Sequence, residues 1–117
     1  GEATPVTRLR RIFPTLRQWF TDDHFFGCPF INAVAEHDKR DDRLRQIALT
    51  HKKEVLDTLA RLAGEAGSPD PDALAHQLGL LIDGAIVAAM ITQDSNVARL
   101  AGQTADALLL SMGAEAA

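Results

Sequence analysis

Residues 78–91 run Leu-Gly-Leu-Leu-Ile-Asp-Gly-Ala-Ile-Val-Ala-Ala-Met-Ile, 14 positions whose one polar side chain is Asp83. Such a stretch has no wet face to offer, so whatever it forms must be covered on more than one side. It falls short of the roughly 20 residues of a bilayer-spanning helix. The reading that fits is a buried helix over about 72–93 with neighbours on both sides.

The rest of the chain follows the same periodicity. No segment alternates with period two, and the apolar residues recur at helical spacing. A first helix is expected over about 5–21, capped by Thr4, begun by Pro5, and kinked at Pro14. Its apolar face is Val6, Leu9, Ile12, Phe13, Leu16, Trp19 and Phe20. A short second helix follows Cys28 and Pro29 and ends near Glu36. The third is expected over about 42–66, with Leu44, Ile47, Ala48, His51, Val55, Leu59 and Leu62 as its stripe. The sequence Gly67-Ser68-Pro69-Asp70-Pro71 then breaks the chain. The fourth helix contains the apolar stretch, and a fifth over about 96–112 ends before Gly113. The fold class is therefore all-α, a five-helix bundle, in one domain covering residues 1–117.

Composition narrows the function classes. With 117 residues, 46% of them hydrophobic, one core is within reach but two are not. A net charge of −4 is the wrong sign for a free-standing nucleic-acid binder, whose affinity comes largely from phosphate contacts. The single cysteine, Cys28, excludes a disulfide within the chain and points to a reducing, cytoplasmic setting. The N-terminus lacks the basic-then-apolar pattern of a signal peptide, and no membrane partner is expected. There is no Glu-x-x-His pair, Gly-x-Ser-x-Gly elbow or phosphate-binding loop, so the chain reads as a non-enzyme with no cofactor and no metal.

The last two helices expose more apolar surface than one small domain covers by itself. A second copy is the expected solution, through a four-helix interface about a two-fold axis burying on the order of 1,600 Å². The expected interface takes Leu78, Leu81, Ala85 and Ala89 from the Ala-rich side of the fourth helix. It takes Leu100, Thr104 and Leu108 from the fifth.

The segment Phe26-Gly27-Cys28-Pro29-Phe30-Ile31-Asn32-Ala33-Val34-Ala35-Glu36 resembles the start of the second helix in the C-terminal domains of TetR-family regulators. Residues 80–89, Leu-Leu-Ile-Asp-Gly-Ala-Ile-Val-Ala-Ala, resemble their penultimate helix, and the order of elements is also theirs. The resemblance implies a regulatory domain whose last two helices dimerise and whose first four enclose a small-molecule pocket. It implies a repressor that leaves its operator when the effector binds. Operator DNA would then be touched only through a separate N-terminal helix-turn-helix domain.

Candidate ligand-binding residues are Phe13, Trp19, Phe26, Cys28, Phe30, Asn32, His51, Asp83 and Val87. The aromatic group near the first loop suits an apolar effector, or is plain core. Cys28, near a helix N-terminus, is either a thiol of lowered pKa that senses electrophiles or a small buried hydrophobe. Asp83 is a polar anchor for a ligand or a structural hydrogen-bonding group, with His51 as a possible partner. Arg8, Arg10, Arg11 and Arg17 dock a neighbouring domain or form a solvated face. A dimerisation module with a filled core and no effector fits the same residues. Gly79 and Gly84 within the fourth helix open a cavity or permit close packing.

Overall fold

A computed structural model describes residues 4–23, 25 and 43–111, with Leu44 by its backbone alone. Among the described residues there are four helices and no strand: α1 (Pro5–Phe20), α2 (Arg43–Glu65), α3 (Pro71–Thr92) and α4 (Asn96–Ser111). The short helix expected after Cys28 lies outside the described residues.

Each boundary has a local cause. The Thr4 side chain accepts the amide of Thr7 at 3.1 Å, and Pro5, which has no amide to leave unpaired, follows it. α1 continues through Pro14, whose ring sits on the exposed side. At the end of α2, Gly67 takes a φ of 93° and donates to the Gly64 carbonyl at 3.1 Å. Ser68 reaches back to the Ala63 carbonyl at 3.0 Å, completing a Schellman stop in the left-handed conformation that glycine adopts without strain. Asp70 then caps α3 by accepting the Ala73 amide at 3.2 Å, with Pro71 in the first turn. Gln93 closes α3 in the left-handed region and donates to the Ala89 carbonyl at 2.8 Å.

The four helices form a ring. α2 and α3 make one hairpin and α3 and α4 a second, while α1 lies against α4 and α2 and barely meets α3. Leu9, Leu74, Leu78 and Leu109 are essentially sealed from solvent at the centre, with Phe13, Ala63, Ala98 and Ala105 around them. Two glycines set the approach distances. A Cβ on Gly79 would stand 3.2 Å from Leu56 Cδ2, and one on Gly102 would stand 3.1 Å from Phe13 Cβ. Close packing thus accounts for Gly79, whereas Gly84 faces open space.

The two sides of α3 are reversed relative to expectation. Leu78, Ala85 and Ala89 are only 1%, 5% and 2% exposed and lie in this chain's own core, with Leu81 packed at its edge. They have no free area for a second copy. The outward side is Leu80, Val87 and Ile91, at 72%, 38% and 78%. Apolar residues surround α3 so evenly that periodicity identifies no inner face. The small alanines turn inward because they let neighbouring helices come close. By length and composition alone α3 is apolar enough to cross a membrane, but its inner side is the bundle core.

α2 keeps its expected face only in its second half: Leu59 and Leu62 are buried with Ala63 and Ala66 and Val55 packs at their edge, while Ile47 and His51 of the same stripe, and Leu49, are exposed. Replacing Leu78 with Ala should therefore cost about 2–5 kcal/mol in urea unfolding at unchanged m-value. A loss below about 1 kcal/mol would remove Leu78 from the core.

Candidate effector-binding site

Along α2, His51, Glu54, Val55, Thr58, Leu59 and Leu62 follow one another at helical spacing on the side facing α1. From α1, one turn apart, come Arg8 and Ile12, and Ile82 of α3 closes the base. Together they bound a groove of about 430 Å³, within the size range of small-molecule sites. The floor is aliphatic: Ile12, Val55, Leu59, Leu62 and Ile82. The polar groups stand on the rim, with Arg8 on one wall and His51, Glu54 and Thr58 on the other. Thr58 spends its hydroxyl proton on the Glu54 carbonyl at 3.1 Å, so towards a ligand its oxygen acts as an acceptor.

The groove continues toward the start of α2. A second depression of about 390 Å³ shares His51 and Glu54 with the first and adds Gln46, Ile47 and Thr50. The two make one trough along α2, with His51 and Glu54 midway. Its chemistry is an apolar bed with one guanidinium, one imidazole and one carboxylate at the edge. That suits binding and orientation of a largely apolar molecule. Among the described residues no group of three His, Cys, Asp or Glu side chains is placed to hold a metal ion.

The candidate residues distribute unevenly about this trough. His51 lines it, as an exposed rim residue rather than a core histidine. Phe13 is buried and turned the other way, against Gly102 of α4. Trp19 joins Phe20 and Phe25 at the end of α1, with ring centroids 5.8 and 4.9 Å away and the Phe20–Phe25 pair at 5.0 Å. That cluster packs on the core edge. Val87 is on the outer side of α3. Phe26, Cys28, Phe30 and Asn32 lie outside the described residues.

Asp83 has a different partner from the one expected. It takes the Lys52 ammonium as an ion pair across the α2–α3 seam, one position beyond His51, and does not border the trough. Both side chains keep over a third of their surface in water, so solvent screening limits the pair. The trough residues not named as ligand candidates, Val55, Leu59, Leu62 and Ile12, were already on core stripes. A stripe lining a groove and a stripe filling a core have the same spacing. Arg8 stood out only as one of four arginines on the first helix, and Thr58 carries no sequence signal.

The model of the tetracyclin repressor-like C-terminal domain matches residues 5–105. The chain is also similar to a crystal structure of a TetR-family transcriptional regulator from Streptomyces coelicolor, with 26% identity and a TM-score of 0.83. That similarity covers 95% of this chain and 55% of the Streptomyces protein, so this chain spans about half the length of that relative. A comparison with curated proteins finds no match.

If Asp83 serves the α2–α3 seam, a double-mutant cycle with Lys52→Met and Asp83→Asn should return a coupling of about 0.2–1 kcal/mol at low salt, reduced further by added salt. A coupling near zero at low salt would return Asp83 to the list of groups free to meet a ligand.

Proposed function

Because the chain belongs to the tetracyclin repressor-like C-terminal domain family, we propose that it is the effector-binding and dimerising half of a TetR-like repressor, acting in the cytoplasm. The α1–α2–α3 trough carries this reading. It is of ligand size and mostly aliphatic, and it is bounded by three helices whose relative positions an occupant would adjust. An apolar effector lying on Ile12, Val55 and Ile82, with a polar group at His51, Glu54 or Arg8, would wedge α1 from α2. In the longer protein that displacement would pass to the DNA-binding half and lower its affinity for the operator, in proportion to the effector's preference for the displaced state.

Dimerisation uses the outward side of α3 and the neighbouring side of α4. Leu80, Val87 and Ile91 stand one to two turns apart on α3, with Gly84 flush between them. Leu100 and Leu110 are the exposed leucines of α4, and Thr104 lies between them. An exposed apolar surface of this extent marks an interaction site in a soluble protein. Paired about a two-fold axis, these faces would make the four-helix interface expected from the sequence, with a revised set of residues on α3.

A thermal-shift screen of small apolar compounds against this chain tests the effector reading. A binder at a hundredfold excess over its Kd should add roughly 2.7 kcal/mol of stability. Filling the groove by Val55→Trp should abolish that gain while the variant remains folded. If no apolar compound stabilises the chain, or Val55→Trp retains the full shift, the trough is not the effector site.

A further inference from the structure

α1 has a second working side. Arg10, Pro14 and Arg17 stand at i, i+4 and i+7 facing α4, opposite to the side that borders the trough. With α4 they bound a separate groove of about 350 Å³ whose floor is Phe13, Pro14, Ala98 and Gly102. Three guanidinium groups rim it, Arg10 and Arg17 from α1 and Arg99 from the first turn of α4, against one carboxylate, Asp106. α1 carries four arginines and no acidic residue, in a chain whose net charge is −4.

The charges are arranged in a definite order along the groove. Asp106 lies 3.1 Å from Arg10 Nε, and the site of a Gly102 Cβ is 3.1 Å from Phe13 Cβ. These two contacts run the helices antiparallel, so one turn further along Arg17 comes level with Arg99. Arg99 Nε donates to Asn96 Oδ1 at 2.8 Å, which braces the guanidinium and leaves its terminal N–H groups free. Arg17 has no ion-pair partner among the described residues. Asp106 lies at the Arg10 end, so the Arg17–Arg99 end holds two like charges beside an apolar floor.

We propose that this groove binds a small amphipathic carboxylate, an aliphatic or aryl acid. Its carboxylate bridges Arg17 and Arg99, and its apolar body lies across Phe13, Pro14 and Gly102. A guanidinium presents paired donors that match the two oxygens of a carboxylate, and such charge-assisted bonds strengthen beside apolar surface. The apolar floor favours this ligand over an inorganic anion or a phosphate backbone, neither of which has apolar surface to cover it. An occupant would tie α1 to α4 and so act on the same helix as the trough, from its other side.

Isothermal titration with decanoate, decanol and decyltrimethylammonium, each below its micelle concentration, tests the proposal. Decanoate should bind at least tenfold more tightly than decanol, and the cation should not bind. The double variant Arg17→Ala/Arg99→Ala should lose at least tenfold in decanoate affinity. Both side chains are exposed, so its circular dichroism should match the wild type. Arg11→Ala, an exposed arginine of the same helix that lines neither groove, should leave the decanoate affinity within twofold. The proposal fails if decanoate binds no better than decanol or if the double variant binds it as the wild type does. It also fails if Arg8→Ala lowers the affinity as far as the double variant, which would place the acid in the trough.

Discussion

Burial of α3 on its inner side is the constraint on which the rest of the fold depends. Leu74 and Leu78 are sealed within the bundle, and Ala75, Ala85 and Ala89 are buried on the same helix. Each buried leucine contributes roughly 1.5–3 kcal/mol. Those contributions require α2 and α4 to lie flat on α3, which the Schellman stop at Gly67 and the left-handed turn at Gln93 make possible in few residues. Gly79 lets Leu56 settle against α3, and the Lys52–Asp83 pair holds the same seam where it meets water.

With α3 held between α2 and α4, α1 closes the ring as a partition. Leu9, Phe13 and Leu16 anchor it in the core, and its flanks face different chemistry. The flank toward α2 borders an aliphatic trough with mixed charges at its edge. The flank toward α4 borders a groove rimmed by arginines. On the proposed readings, ligands on either side would act on the same rigid element, and α4 in turn carries part of the outward apolar surface. Occupancy, helix position and the proposed association would then be mechanically connected through α1 and α4.

Much of this was legible in the sequence, because helix periods, caps and breakers are local. Thr4 with Pro5, Gly67 with Pro69, and Asp70 with Pro71 mark ends that the structure places within a residue or two. The apolar character of α3 on all its sides was legible for the same reason. Which side faces inward was not: with apolar residues all round, only the three-dimensional fit of Ala85 and Ala89 against neighbouring helices decides it. The setting of His51 was not legible either: it continues a helical stripe in sequence yet reaches solvent because the buried part of that stripe begins one turn later. Arg17 and Arg99 are 82 positions apart, and nothing short of the antiparallel seating of α1 on α4 brings them level.

The central claim is that α3 is shared between two cores, its own and that of a second copy. Sedimentation equilibrium of this chain over a dilution series tests it most directly. A mass near twice 12.7 kDa at micromolar concentration, falling to the single-chain value in Leu80→Glu, is the expected result. A single-chain mass for the unsubstituted protein throughout would contradict it, and would mean that Leu80, Val87 and Ile91 remain in water.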